Sequence, residues 1–362
     1  MIDIPHNNAL NQFSVCRRRR LDALKPVGLP IFHLLLGHKK FSVRIVLCYP
    51  VESRHIEQIQ AVYPGATVVS AGQEHVAKEL PKADIFCGHA KVPVPWEDTV
   101  KAQRLRWIQS SAAGLDHCLV SCVVDSDIVV SSASGVLADQ VAEHALALAT
   151  GCSRKIPLFL HQQHQKEFVR RPTRDLTGST VLIVGFGGNG QRLAEVLRPL
   201  KTRIIATDYF PNRPAPLVDH LGAPDELHEL LPQADFVFLA APLTDQTRKM
   251  FDASTFSAMK PGSVLINVAR GDLVVEQAVV DALESGHLDS AGFDVTPEEP
   301  PAAESPLWTA PRLIITPHVG GQSEKRIDRM TDLFCENIIR YRRGEPLINS
   351  VDKKLGFPPP TS

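Results

Sequence analysis

Charge of one sign is what this sequence most clearly lacks. Its 362 residues hold 39 Lys and Arg against 40 Asp and Glu, a formal net charge of −1. So even a balance gives no electrostatic footprint for nucleic acid or for an acidic membrane surface. Long apolar runs are missing as well, and none reaches the roughly 18 residues that a membrane-crossing helix needs. Cysteine offers no framework. The seven are an odd number and scattered, with Cys118 and Cys122 the only close pair. No second pair or histidine cluster completes a zinc site, so no metal is expected. The cysteines read as reduced core thiols of a cytoplasmic protein.

The first forty residues stand apart. A basic stretch, Arg17 to Arg20, precedes a short apolar segment near residues 27–37. That order is the order of a signal peptide, but Pro30 and His33 interrupt the apolar part and no small-residue cleavage site follows. Residues 1–40 are therefore read as a disordered extension.

What is present from Phe41 onward is alternation. "SVRIVLCY", "ATVVS", "ADIFCG", "RLRWIQSS" and "SDIVVSS" read as strands, with short amphipathic helices such as "HIEQIQAVY" between them. Strands alternating with helices imply an α/β fold built on parallel sheet, with helices on both faces. A long apolar helix is expected from Leu137 to Ile156, then a basic surface connection, "HQQHQKEFVRRPTRDLTGS". A second unit starts at Thr180, with six strands expected: "TVLIVG", "RIIATD", "DFVFLA", "SVLINVA", "SAGFDV" and "RLIITP". Six is the full count for a dinucleotide-binding sheet of two mononucleotide halves.

"VLIVGFGGNG" supports that reading. Gly185, Gly187 and Gly190 fit G-x-G-x-x-G just after a strand and at the opening of a helix, the context that the motif needs. Asp208 ends the second strand. An acidic residue there accepts hydrogen bonds from a ribose 2′-hydroxyl and repels a 2′-phosphate, so NAD is the expected cofactor.

Ligands of an open α/β sheet bind beyond the carboxyl ends of its strands. Three strand ends place reactive groups there: Arg270 after "SVLINVA", Glu298 and Glu299 after "SAGFDV", and His318 after "RLIITP". An arginine grips a carboxylate and a carbonyl oxygen with its planar fork. A histidine moves a proton at the oxygen while hydride passes at the carbon. A neighbouring carboxylate orients the histidine and stabilises its charged form. The set suits a small 2-oxo or 2-hydroxy acid, with hydride chemistry supplied by a nicotinamide.

At these residues the chain resembles the D-isomer-specific 2-hydroxyacid dehydrogenases. The matching segments are "IQSSAAGLDH", "ADQVAEHALAL", "DLTGSTVLIVGFGGNGQRLA", "APLTDQTRKMF", "MKPGSVLINVARGDLVVEQAVVDAL", "AGFDVTPEEPP", "SPLW" and "LIITPHVGGQS", spread from about residue 42 to 352. The resemblance implies that a Rossmann dinucleotide-binding domain, residues 137–319, is inserted into a flavodoxin-like substrate domain, residues 41–136 plus 320–352. It implies Arg270 as the substrate-binding arginine, His318 as the acid–base and Glu299 as its partner. It carries cofactor contacts onto Gly185, Phe186, Gly187, Gly188, Asn189, Gly190, Asp208, Ala241, Pro242, Thr247, Val268, Ala269, Arg270, His318 and Gly320, with Asp294 at the nicotinamide amide. It carries substrate contacts onto Lys91, Val92, Ala113 and Gly114 beside Arg270 and His318, with the segment Ser111 to Gly114 lining the cleft. It implies a homodimer in which the helix from Leu137 takes part. The helical face Ile327, Met330, Phe334, Ile338 and Tyr341 is expected to return to the first domain.

The substrate loop departs from the pattern. Pro93 removes a backbone donor, and His89 and Lys91 are expected to face solvent, with contact to an anionic substituent the alternative. Two other functions share the scaffold: a phosphonate-type dehydrogenase, and an NAD-sensing corepressor-like binding protein. A formate dehydrogenase is disfavoured because that pattern has glutamine where Glu299 stands.

Overall fold

The computed structural model describes residues 42–360; the extension expected over residues 1–40 lies outside them. Two all-parallel sheets organise the chain. The first holds β1 (Arg44–Cys48), β2 (Thr67–Ser70), β3 (Ile85–Gly88), β4 (Trp107–Ser110) and β5 (Val129–Ser131), in the order β2-β1-β3-β4-β5. The second holds β6 (Thr180–Val184), β7 (Arg203–Thr207), β8 (His220–Gly222), β9 (Phe236–Leu239), β10 (Ser263–Asn267), β11 (Leu288–Phe293) and β12 (Leu313–Ile315), in the order β12-β11-β10-β9-β6-β7-β8. Central strands β3, β4, β9 and β10 are buried at every residue. This is why β3 and β9 read as unbroken apolar runs: helices cover both faces. The first sheet has the flavodoxin-like order, and the second is the six-stranded dinucleotide-binding order extended by one strand. The chain is thus two parallel-sheet α/β domains, with a Rossmann domain inserted into a flavodoxin-like one.

The five strands of the first sheet stand where the sequence places them. The second sheet has seven, not six. The missed strand, β8, is three residues long with one large apolar side chain, so it carries no periodic signal. The helix expected from Leu137 to Ile156 runs only from Ala138 to Ser153. Lys155 takes a left-handed conformation (φ 55°), and Pro157 lies in the first turn of a second helix, Ile156–His164. Proline lacks an N–H and is tolerated only in a helix's first turn, so it opens the new helix. His161 to His164, assigned above to the surface connection, are therefore helical. Helix 138–153 buries Ala142, Ala145, Leu148 and Ala149 against Val181, Ile183, Val264 and Ile266 of the second sheet. The helix that follows leaves Ile156 48% and Leu160 52% exposed.

The last helix, Arg326–Arg343, returns to the first sheet. Phe334, Cys335 and Ile338 pack with Ile45, Leu47, Ile85 and Trp107, and Ile327 and Tyr341 close the edge of that cluster. Met330 is buried as well. A fully buried polar chain pins the helix. Asn337 Nδ2 donates to Gln109 Oε1 (2.8 Å) and to the Ile348 carbonyl (3.1 Å), while its Oδ1 accepts from Ile348 N (2.7 Å). Gln109 Oε1 also accepts from Ser131 Oγ (2.8 Å), which takes the Trp107 indole N–H (2.8 Å).

Among the described residues all six cysteines are free thiols, Cys118 and Cys122 included. No helix among them is long and apolar enough to cross a membrane.

Removing Asn337 takes the side-chain partner from the half-buried Ile348 N–H and C=O and from the fully buried Gln109, and each lost hydrogen bond costs about 0.5–1.5 kcal/mol. Asn337→Ala is expected to lower unfolding stability by roughly 2–4 kcal/mol, measured by urea denaturation. A loss below about 1 kcal/mol would show that the polar chain does not hold the helix.

Candidate active site

The glycine loop follows β6 and opens the helix Gly188–Leu197. Gly185 has φ +95°, and a Cβ there would lie 2.5 Å from Ala241 N. Gly190 faces the Gly185 carbonyl, which a Cβ would meet at 2.2 Å, so the helix crosses close to its own strand. Gly187 meets nothing within 4 Å, which leaves room for a ligand to approach the backbone. No side chain caps this helix. Its first N–H groups have no intrahelical partner, and with the helix dipole they make an open end of the kind that suits a phosphate.

Beyond the loop lies a cavity of about 870 Å³ at the carboxyl ends of β6 and its neighbours. Ala113 and Gly114 line it from the first domain. Gly185, Gly187, Gly188, Asn189, Asp208, Ala241, Pro242, Thr247, Val268, Ala269 and Arg270 line it from the second. Phe186 and Gly190 are buried behind the wall. Asp208 is fixed by the loop itself: its carboxylate accepts from Phe186 N (2.8 Å) and Phe210 N (2.9 Å). Arg213 lies 3.4 Å from the same carboxylate, with its guanidinium 5.6 Å above the Phe186 ring. The cavity, the open helix end and the acidic strand end together fit a nicotinamide dinucleotide.

Asp294, His318, Glu299 and Gly320 do not line this cavity; they form a second cluster at the ends of β11 and β12. Asp294 is 3% exposed. Its carboxylate accepts from Thr316 Oγ1 (2.7 Å), Val319 N (2.9 Å) and Gly320 N (2.7 Å), and His144 Nε2 lies 3.2 Å away. His318 N donates to the Asp294 carbonyl (2.8 Å). These bonds hold His318 at φ 53°, a region that a non-glycine residue enters at a cost. Its Nδ1 meets Glu299 Oε2 at 2.7 Å, which leaves Nε2 without a protein partner among the described residues. Of the two glutamates, Glu299 is the one that pairs with His318.

Arg270 joins the two clusters. Asn267 Nδ2 holds its carbonyl (2.9 Å). Its side chain donates from Nε to Asp116 (3.3 Å) and lies against Gly114. The next residue, Gly271, packs on the loop that carries Glu299: a Cβ there would lie 1.9 Å from the Thr296 carbonyl carbon. Partial burial alone would raise the Asp116 carboxyl, but Arg270 outweighs it and holds Asp116 below the usual carboxylate range.

His117 and His89 stack beside this pair, centroids 3.9 Å apart. Burial, then the neighbouring His89, push His117 down to about 3, so it stays neutral at ordinary pH. His89 is half-buried, and burial lowers it too. The expectation that His89 faces solvent is therefore corrected: its ring is taken up by His117. Lys91 and Val92 are exposed, and the Lys91 amide already donates to Gln73 Oε1 (2.7 Å). Asp116 and His117 were missed although both end the segment "IQSSAAGLDH". Only the fold shows that Arg270, 154 residues on, lands beside them.

Comparison with known proteins agrees with this architecture. The family model described as "D-isomer specific 2-hydroxyacid dehydrogenase, NAD binding domain" matches residues 146–320. A glyoxylate reductase of Pyrococcus furiosus is 33% identical over 264 residues, 70% of this chain and 78% of that protein. A D-3-phosphoglycerate dehydrogenase of Methanocaldococcus jannaschii is 28% identical over 86% of this chain, which spans 59% of that longer protein. Among solved structures, a D-isomer specific 2-hydroxyacid dehydrogenase family protein from Aeromonas salmonicida superimposes with a TM-score of 0.74 at 29% identity, covering 86% of this chain and 99% of that one. An NADPH-dependent glyoxylate/hydroxypyruvate reductase from Sinorhizobium meliloti, in complex with NADP and sulfate, gives 0.75 at 25% identity, covering 87% and 100%. With the inserted Rossmann domain, the glycine loop and the strand-end Arg, Glu and His, these likenesses place the chain in the D-isomer specific 2-hydroxyacid dehydrogenase family.

Proposed function

We propose that the protein is an NAD(H)-dependent oxidoreductase acting at C2 of a small 2-hydroxy or 2-oxo acid of D configuration. The observation that carries this reading is the 2.7 Å pairing of His318 Nδ1 with Glu299, beside the loop that bears Arg270. The dinucleotide supplies the hydride. Arg270 grips the substrate carboxylate and carbonyl oxygen through its fork of donors. His318, held at Nδ1, gives a proton from Nε2 to the carbonyl oxygen during reduction and takes it back during oxidation. Glu299 orients the ring and stabilises the imidazolium by its charge. Ala113 and Gly114 wall the substrate. In the loop Lys91–Val92 the Val92 amide is the donor proposed for its carboxylate, because the Lys91 amide is taken. Gly185 to Gly190 hold the pyrophosphate, Asp208 the ribose. Ala241, Pro242, Thr247, Val268 and Ala269 flank the dinucleotide. Asp294 and Gly320 fix the His318 loop at its nicotinamide end. The domain boundaries proposed are 41–136 with 320–352, and 137–319. The packing of helix 138–153 on the second sheet and of helix 326–343 on the first supports them.

His318→Ala is expected to lower kcat by roughly 10²–10⁴-fold while NADH still binds. Glu299→Gln removes a charge-assisted hydrogen bond and should lower kcat by roughly 10–10²-fold, whereas Glu298→Gln should not. Steady-state assays with NADH against a panel of 2-oxo acids, beginning with glyoxylate and hydroxypyruvate, check both. Activity surviving in His318→Ala, or an effect confined to Glu298→Gln, would overturn the roles.

Asp208 lines the cavity and opposes a 2′-phosphate, although Arg213 beside it offsets part of its charge. The expected kcat/KM is at least about tenfold higher with NADH than with NADPH, a difference of about 1.4 kcal/mol. Asp208→Ala should narrow the gap. Equal values for the two cofactors in the unaltered protein would refute the preference.

The exposed apolar residues Ile156, Leu158 and Leu160 support assembly as a homodimer. Light scattering should give twice the chain mass, and Leu160→Lys should shift it toward the monomer. A monomeric unaltered protein at micromolar concentration would refute this.

A further inference from the structure

The family model ends at residue 320, and the last segment that carries the resemblance ends at Ser323, yet the chain after residue 352 builds part of the cofactor cavity. Val351 N donates to the Val130 carbonyl (2.9 Å), so the segment leaves from strand β5 of the first domain. Lys353 Nζ is tied to the Val123 and Ser126 carbonyls. Asp352 then folds a tight turn: its side chain accepts from Lys354 N (2.9 Å) and Leu355 N (3.1 Å), and its carbonyl accepts from Gly356 N (2.8 Å). The turn delivers Phe357 to the other domain. Its ring sits 5.8 Å from Tyr209 and 6.3 Å from Phe210, edge-on to both. Tyr209 and Phe210 directly follow Asp208. Lys354, Leu355, Phe357 and Pro358 to Pro360 all line the cavity there.

The acidic residue after the second strand marks the adenosine ribose in this class of sheet. The three aromatic rings and the proline run therefore stand at the adenosine end of the cavity. We propose that residues 352–360 form the outer wall of the adenosine subsite, with Phe357, seated on Tyr209 and Phe210, as the residue that sets affinity for the adenosine half of the cofactor. The inference rests on the dinucleotide reading of this cavity. A wall built from the first domain and clamped to the second also makes that subsite depend on both domains. Three successive prolines stiffen the wall, so little conformational freedom is lost when a ligand fills the space beneath it.

Binding of three probes to the full-length protein tests this: NADH, ADP-ribose and nicotinamide mononucleotide, by calorimetry and ligand-detected NMR. Burying one aromatic ring against a ligand is worth roughly 1–2 kcal/mol, so Phe357→Ala should weaken ADP-ribose and NADH by roughly tenfold. Nicotinamide mononucleotide should bind as before, which also shows that the variant is folded. Phe357→Tyr, which keeps the ring, should restore most of the affinity. Equal ADP-ribose affinity in Phe357→Ala and the unaltered protein would overturn the proposal. So would tighter binding, which would make the tail a plug, or an equal loss of all three ligands, which would make Phe357 a general structural residue. If the unaltered protein binds neither NADH nor ADP-ribose, the dinucleotide reading itself has failed and the wall falls with it.

Discussion

The cluster around His318 depends on one buried carboxylate. Asp294 sits at the end of β11 with almost no exposure, where an unpaired acid would cost several kcal/mol. It is satisfied instead by donors from the following strand end: the Thr316 hydroxyl and the Val319 and Gly320 amides. Those bonds hold His318 in its left-handed conformation, which costs on the order of 1–3 kcal/mol and persists only where the surroundings over-determine it. The histidine is thus positioned by its backbone. Glu299 has only the ring rotation left to settle.

A second constraint is steric. Gly271 lies so close to Thr296 that no side chain fits between them. The loop carrying Arg270 and the loop carrying Glu299 therefore share one contact surface, and neither can shift without the other. On its other side Arg270 reaches Asp116, which belongs to the first domain. A single arginine side chain reports on the position of both domains.

Much of the architecture was legible because strand-helix alternation and the glycine loop are local signals. Arg270, Glu299 and His318 stood out because each follows an apolar run that could only be a buried strand. What escaped had little local signature. Strand β8 is too short to show a period. The break at Lys155 lies between two apolar runs, with Ser153, Arg154 and Pro157 as the local hints. Asp116 and His117 matter through a partner far away in the chain, and His89 looked exposed because its stacking partner lies 28 residues on. The role of Phe357 rests on a turn that ends in the opposite domain. These are long-range packing facts, and no pattern in the neighbouring residues encodes them.

The edges of the two sheets carry a last consequence. β2 has four residues, and β5, β8 and β12 have three each. β5 is further covered by the returning chain, through an antiparallel bridge from Ser131 to Ser350. An open sheet is a template for strand addition in proportion to the unpaired backbone its edge presents, and very short edges are one way that native proteins blunt it. Here no edge offers an incoming strand more than a few ladder bonds. A chain with this much parallel sheet, slow to form and prone to mispair while folding, therefore presents little that would seed fibrillar growth once its sheets are complete.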